Sequence, residues 1–122
     1  MVNFGTPDTV PAQYKDRLFY HHNPQITLMR TTPADNTHIG QWIATKLNQA
    51  QGPVHLLLPE AGISALDIAG GPFHDPAADS ALFEVLEDTL TPTWNRKITR
   101  HPLHINDPAF AAACVRAYRE SQ

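Results

Sequence analysis

The chain has one cysteine, Cys114, in 122 residues, so no disulfide can form within it and a reducing, cytoplasmic setting is expected. No run of about 18 apolar residues occurs, which argues against a membrane-spanning helix. The opening Met-Val-Asn-Phe-Gly-Thr-Pro has neither the charged nor the apolar region of a secretory signal. Basic residues are missing from a long central stretch. Between Lys46 and Arg96 there is no Lys or Arg, while Glu60, Asp67, Asp75, Asp79, Glu84, Glu87 and Asp88 all fall there. Arg96, Lys97, Arg100, His101 and His104 form the one basic cluster. The formal charge is −3, so the face that nucleic acid needs to displace phosphate counterions is lacking. A hydrophobic content of 42% against 17% charged residues excludes a disordered or fibrous chain, and the length suits a single domain.

Proline, in contrast, is abundant, at 11 residues, and its placement is informative. Thr32-Pro33, Asp75-Pro76 and Asp107-Pro108 each put a capping side chain before a proline. Proline at the first helical position loses nothing, because its missing N–H has no helical partner there. Three helices are therefore expected. In the first, Ile39, Trp42, Ile43 and Leu47 form the apolar stripe, through about Ala50. The second carries Ala78, Leu82, Leu86 and Leu90, widened by Phe83 and Val85. The third carries Phe110, Ala113, Cys114, Ala117 and Tyr118, with Cys114 and Trp42 read as core. Gly52-Pro53 and Thr91-Pro92 end the first two.

A β-type run precedes each helix: Gln25–Arg30, the apolar Val54–Leu58, and Lys97–Arg100. Val54–Leu58 reads as a strand buried on both faces. The predicted fold is a small three-layer α/β domain, β-α-β-α-β-α, with a parallel sheet, in effect a Rossmann-like half domain. Residues 25–122 form this core, and residues 1–24, with Pro7, Pro11 and Pro24, are read as an irregular segment of the same single domain. A sheet this small is expected to need a partner surface, in a homo-oligomer or against a further subdomain.

Ligands of open α/β sheets bind beyond the carboxyl ends of the strands, which singles out three loops. Arg30, Thr31 and Thr32 lead into the first helix, where a guanidinium, two hydroxyls and free helical N–H groups suit a phosphate or carboxylate; the plain alternative is a cap and an ion pair. The second loop, from Pro59 to His74, is long for a strand-to-helix connection. Its Gly62 and Ser64 are candidate ligand contacts, and Glu60 is a candidate acid/base at the strand end. No Gly-x-Ser-x-Gly elbow surrounds Ser64, so it is not read as a nucleophile. The third loop carries His101, His104, Asn106 and Asp107. His104 is a candidate acid/base, Asn106 and Asp107 candidate ligand contacts; the His/His/Asp spacing lacks the form of a metal site, and no metal is expected.

Met-Val-Asn-Phe-Gly at 1–5, Leu-Met-Arg-Thr-Thr-Pro at 28–33, Leu-Pro-Glu-Ala-Gly-Ile-Ser-Ala-Leu-Asp at 58–67 and His-Ile-Asn-Asp-Pro-Ala-Phe at 104–110 together carry a resemblance. They resemble the C-terminal part of the family of the tomato mosaic virus resistance protein, an inhibitor of viral RNA replication. Bacterial and fungal relatives are described as carrying an ATP-binding domain. The resemblance implies two α/β subdomains in a longer chain, this sequence matching the later part of the second. ATP is the cofactor it implies, with the nucleotide site mainly in the N-terminal subdomain. It supplies no catalytic mechanism, and its motif residues are expected to line a cleft.

Two functional expectations follow. One is a binding site, with or without catalysis, for a small anionic ligand, in which Arg30, Glu60 and His104 share one rim. The other is a non-catalytic interaction or assembly module, or a fragment that functions with a partner subdomain. Neither nucleic acid nor membrane is expected as a partner.

Overall fold

The computed structural model describes residues 1–121, which divide into two compact units, residues 1–32 and the chain from Pro33 onward. The second unit holds all three helices: α1 (Pro33–Asn48), α2 (Pro76–Thr89) and α3 (Pro108–Glu120), each starting at the proline marked in the sequence. Asp75 accepts a hydrogen bond from the Ala78 N–H (3.0 Å) and Asp107 from the Ala109 N–H (2.8 Å), so both carboxylates satisfy helical donors that would otherwise be orphaned. Strands β4 (Val54–Pro59) and β5 (Arg96–His101) pair in parallel, from Val54 opposite Arg96 to Pro59 opposite His101. The α/β class read from the sequence is therefore present.

One core holds this unit together. Ala44, Leu58, Phe83, Leu86 and Leu90 are buried, with Ile43, Leu47, Leu56, Ile63, Leu82 and Ile98 packed around them. Burial of each large side chain contributes about 1.5–3 kcal/mol. Polar staples fix the α1–α2 pair at both ends. The Asn36 amide donates to the Ala78 carbonyl at 2.7 Å; Asn48 donates to the Thr89 carbonyl (2.8 Å) and accepts from the Thr91 N–H (2.9 Å). Arg96 is buried, and its guanidinium donates to the carbonyls of Asn48, Ala50 and Thr91, closing the C-terminal end of α1 with a cation where the helix dipole favours one.

The buried face of α1 differs from the expected stripe. Asn36, Gly40 and Ala44 face inward, while Ile39 is 40% and Trp42 65% exposed, with the Lys46 ammonium over the Trp42 ring. A Cβ on Gly40 would lie 2.2 Å from Val85 Cγ1, so the helices meet at a glycine, and small residues set the contact line. Cys114 is likewise exposed rather than core, as is Tyr118; α3 buries only Phe110, Ala113 and Ala117. β4 is fully buried only at Leu58 and Pro59 and half-buried before them, because α3 covers its second face incompletely.

The first unit corrects two expectations. Residues 1–24 are not irregular: they form β1 (Val2–Phe4), two 3-10 turns (Pro7–Thr9 and Ala12–Tyr14) and β2 (Phe19–Asn23). The run read as the first parallel strand, β3 (Ile26–Met29), is the centre of an antiparallel sheet in the order β1-β3-β2. Both of its edges are occupied by those neighbours, so the parallel ladder contains two strands and not three. The Asn23 side chain, accepting from the Gln25 N–H at 2.8 Å, tightens the turn through Pro24 that makes the β2–β3 hairpin.

Candidate functional site

A cleft of about 280 Å³ opens beyond the carboxyl ends of β4 and β5, the position that ligands favour in sheets of this kind. Glu60 and Arg100, from the two strand ends, line it together with Gly62, His74, Asp79, Ser80 and Phe83. Its chemistry centres on Arg100. The Glu87 carboxylate holds the guanidinium bidentately, Nε at 2.8 Å and Nη2 at 2.7 Å, while Glu60 accepts from Nη1 at 3.2 Å through one oxygen. The Phe83 ring lies against the same guanidinium, 5.8 Å from its centroid. Hydrogen bonding to Arg100 holds the Glu87 carboxyl below its ordinary range, and the two carboxylates, Glu87 foremost, make the Arg100 guanidinium harder to deprotonate.

Beside the cleft, the loop from Glu60 to Asp75 is wired internally. Asp67 is 1% exposed, and its carboxylate accepts from the N–H groups of Ile63 (3.1 Å) and Asp75 (3.4 Å). His104 Nε2 donates toward the carbonyls of Ser64 (2.9 Å) and Asp67 (3.2 Å), and Nδ1 accepts from the Asn106 N–H (3.1 Å). Both ring nitrogens are thus engaged by backbone, an arrangement that fixes the Nε2–H tautomer and pins two loops together. Gly62, at φ +126°, makes the approach feasible: a Cβ there would sit 1.9 Å from the Asp67 carbonyl oxygen and 2.8 Å from His104 Cδ2. The Gly62 carbonyl also accepts from the Ile105 N–H at 3.0 Å.

Glu60, Gly62, Ser64, His104, Asn106 and Asp107 therefore fall in one pair of interlocked loops. Within it Ser64 Oγ accepts from the Leu66 N–H and Asp107 caps α3. Arg30, Thr31 and Thr32 close the other unit; Arg30 and Thr31 are buried, and the Arg30 backbone bonds Leu18 and the Arg17 guanidinium. Sequence reasoning did not place Arg100, His74, Asp79 or Phe83 in a site. The signal for Asp79 was present, since an acid sat on the core-facing stripe of α2 beside Ala78 and Phe83, and Asp79 is buried. Among the described residues, no group of three or more His, Cys, Asp or Glu side chains could hold a metal ion, and no helix is long and apolar enough to cross a membrane.

Taken together, the parallel β4–β5 pair, its covering helices and the cleft define an α/β domain with a cleft at the carboxyl ends of its parallel strands. Residues 1–121 match the C-terminal domain of the uncharacterised protein family UPF0261, and the chain belongs to that family. It is 60% identical over 120 residues to a UPF0261 protein of Rhizobium meliloti, covering 98% of this chain and 30% of that protein. It is similar as well to the ToMV resistance protein Tm-1(GCR237) of Solanum lycopersicum, 42% identical over 120 residues, covering 98% of this chain and 16% of that one. A UPF0261 protein of Clostridium tetani is 41% identical over 116 residues, 95% of this chain and 28% of its own. The chain spans less than a third of the length of each of these relatives.

Proposed function

We propose that this domain supplies a binding site for a small anionic molecule at the carboxyl ends of β4 and β5. The observation that carries the reading is the coincidence of three things at one place: a cleft, a single guanidinium lining it, and an adjoining loop held rigid by Asp67 and His104. Preorganisation of this kind lowers the ordering cost of binding. Glu60 is the lining group placed to exchange a proton with a ligand, while His104 positions the loop. The cleft's residues do not fit a nucleoside triphosphate. No lysine lines it, its one guanidinium is shared by two carboxylates, and its volume lies below the ~300–1,000 Å³ usual for ligand pockets. Arg30, Thr31 and Thr32, within the other unit, are proposed as a separate anion-binding element, and the cytoplasm as the setting.

The test is a thermal-shift and NMR titration of the chain against a panel of phosphorylated and carboxylated metabolites. The expected result is a saturable hit that shifts the amide signals of Ala61, Gly62 and Ser80. A panel that leaves all three unmoved defeats the reading.

A second reading is favoured by one specific observation. Trp94 is 90% and Tyr118 66% exposed, and the chain covers less than a third of its relatives. Such apolar surface suits a domain that works against a further part of the family's polypeptide or in an oligomer. Sedimentation of the isolated chain, and of the chain mixed with the remainder of a relative's polypeptide, tests it.

A further inference from the structure

The two carboxylates on Arg100 are not equivalent. Glu87, on α2, takes two N–H groups in parallel at 2.8 and 2.7 Å, the strong fork-to-fork form. Glu60 makes one longer contact, 3.2 Å to Nη1, and both partners of that contact are about one third exposed. A guanidinium has five N–H groups and three are used here, so the Nη1 end is the weakly held one. It is also the end shared with a cleft-lining residue, since Glu60 and Arg100 line the cleft whereas Glu87 does not. The Phe83 ring and the Glu87 fork fix the plane of the guanidinium, so Nη1 would not have to reorient to meet a different oxygen.

We infer that Glu60 is a displaceable guard on Arg100, whose place at Nη1 is taken by a compact oxyanion of the ligand, so that Glu60 sets which anions the cleft accepts. This deepens the binding reading given above and rests on it. The exchange of one oxygen for another leaves the guanidinium satisfied throughout, and the Glu87 pair keeps it in place. The displaced Glu60 carboxylate stays beside the bound group, because it is anchored at the end of β4 by the bond from its N–H to the His101 carbonyl. It therefore repels a second negative charge and accepts a hydrogen bond from a neighbouring hydroxyl. The ligand class that fits is a singly charged oxyanion with an adjacent proton donor; a fully ionised dianion is disfavoured.

The experiment follows the amide signals of Ala61, Gly62 and Ser80 and the Arg100 Nε–H signal during titration of the full chain with inorganic phosphate and, separately, with glycerate and propionate. In the native chain glycerate is expected to bind more tightly than propionate, which lacks its hydroxyls. Glu60→Gln is expected to bind inorganic phosphate about tenfold more tightly, the gain from removing a competing charge at the cleft. Glu60→Ala should show the same sign, and because Glu60 is exposed both variants should keep native amide dispersion. Unchanged or weaker phosphate binding in both variants, with cleft signals still shifting, overturns the guard role and leaves the binding cleft standing. If no cleft signal moves with any probe in any of the three proteins, the guard role fails. The cleft reading falls as well only if the metabolite panel is also silent.

Discussion

Replacing Gly62 with alanine tests the interlocked loops directly. At φ +126° a residue with a Cβ is in a region that costs on the order of 1–3 kcal/mol. The methyl would then stand 1.9 Å from the Asp67 carbonyl oxygen, a backbone atom that has no rotamer to escape into. Relief requires shifting Asp67, which loosens the His104 bond to that carbonyl and the charged bond from the Ile63 N–H to the carboxylate. With those losses the substitution is expected to cost roughly 3–7 kcal/mol, a large share of the ~5–15 kcal/mol that holds a domain together. Gly70→Ala is the matched control. Gly70 is also at positive φ, +81°, but a Cβ there meets no atom within 4 Å, so only the conformational cost, about 1 kcal/mol, is expected. Urea unfolding followed by far-ultraviolet circular dichroism gives both values. If Gly62→Ala lies within about 1 kcal/mol of Gly70→Ala, the close approach of the two loops is wrong.

Three further outcomes follow from the same geometry. Asp67→Asn keeps the volume but turns one acceptor into a donor facing a buried N–H, and should lower stability by about 1–3 kcal/mol in the same urea assay. Gly40→Ala adds helix propensity worth about 1 kcal/mol, but its methyl would fall 2.2 Å from Val85 Cγ1, so a net loss of about 1–3 kcal/mol is expected and a net gain would contradict the α1–α2 contact. Burial first, then the Lys97 charge, hold His55 below the ordinary histidine value, with His101 adding to the effect and Glu120 opposing it. The unfolded chain then binds more protons than the folded one, so this contribution is complete above about pH 6.5 and is lost as pH falls through the folded value. His55→Gln should flatten the dependence of unfolding free energy on pH between 7 and 5, and an identical slope in the two proteins would contradict the burial.

The helices and their starting residues were legible because a capping side chain followed by proline is a local signal, independent of what the helix packs against. The same holds for β4 and β5, whose apolar or β-branched residues fall between turn signals. What resisted reading was set by distant partners. β1 and β2 are three and five residues long, and β2 includes His21, His22 and Asn23, so no alternation announces them. They become strands because β3 offers both edges. On α1, Ile43 and Leu47 of the expected stripe pack against the core, but Gly40 and Ala44 let α2 come close and leave Ile39 and Trp42 outside. Strand-end position points to Glu60, which lines the cleft, and to His104, which does not, whereas Arg100 stands out in the sequence only as part of a basic segment. Its partner Glu87 lies thirteen residues away on a helix, and nothing local in the sequence pairs them.

The distribution of polar groups at the strand ends separates two tasks. Asp67 is buried, and its carboxylate accepts from the Ile63 and Asp75 N–H groups of its own loop. A buried carboxylate is costly unless fully hydrogen-bonded, and once it is bonded, breaking any partner exposes that cost, so a loop built on one resists rearrangement. His104 adds to this from the opposite loop with both nitrogens. Glu60 and Arg100 are different: about one third exposed and joined by a single contact, a pair whose association in water is worth little. A weak pair on a stiff frame can change partners without moving the backbone. That property suits the proposed exchange of anions, and the loop glycine that permits the frame, rather than the ion pair itself, is where a substitution is expected to cost the fold more.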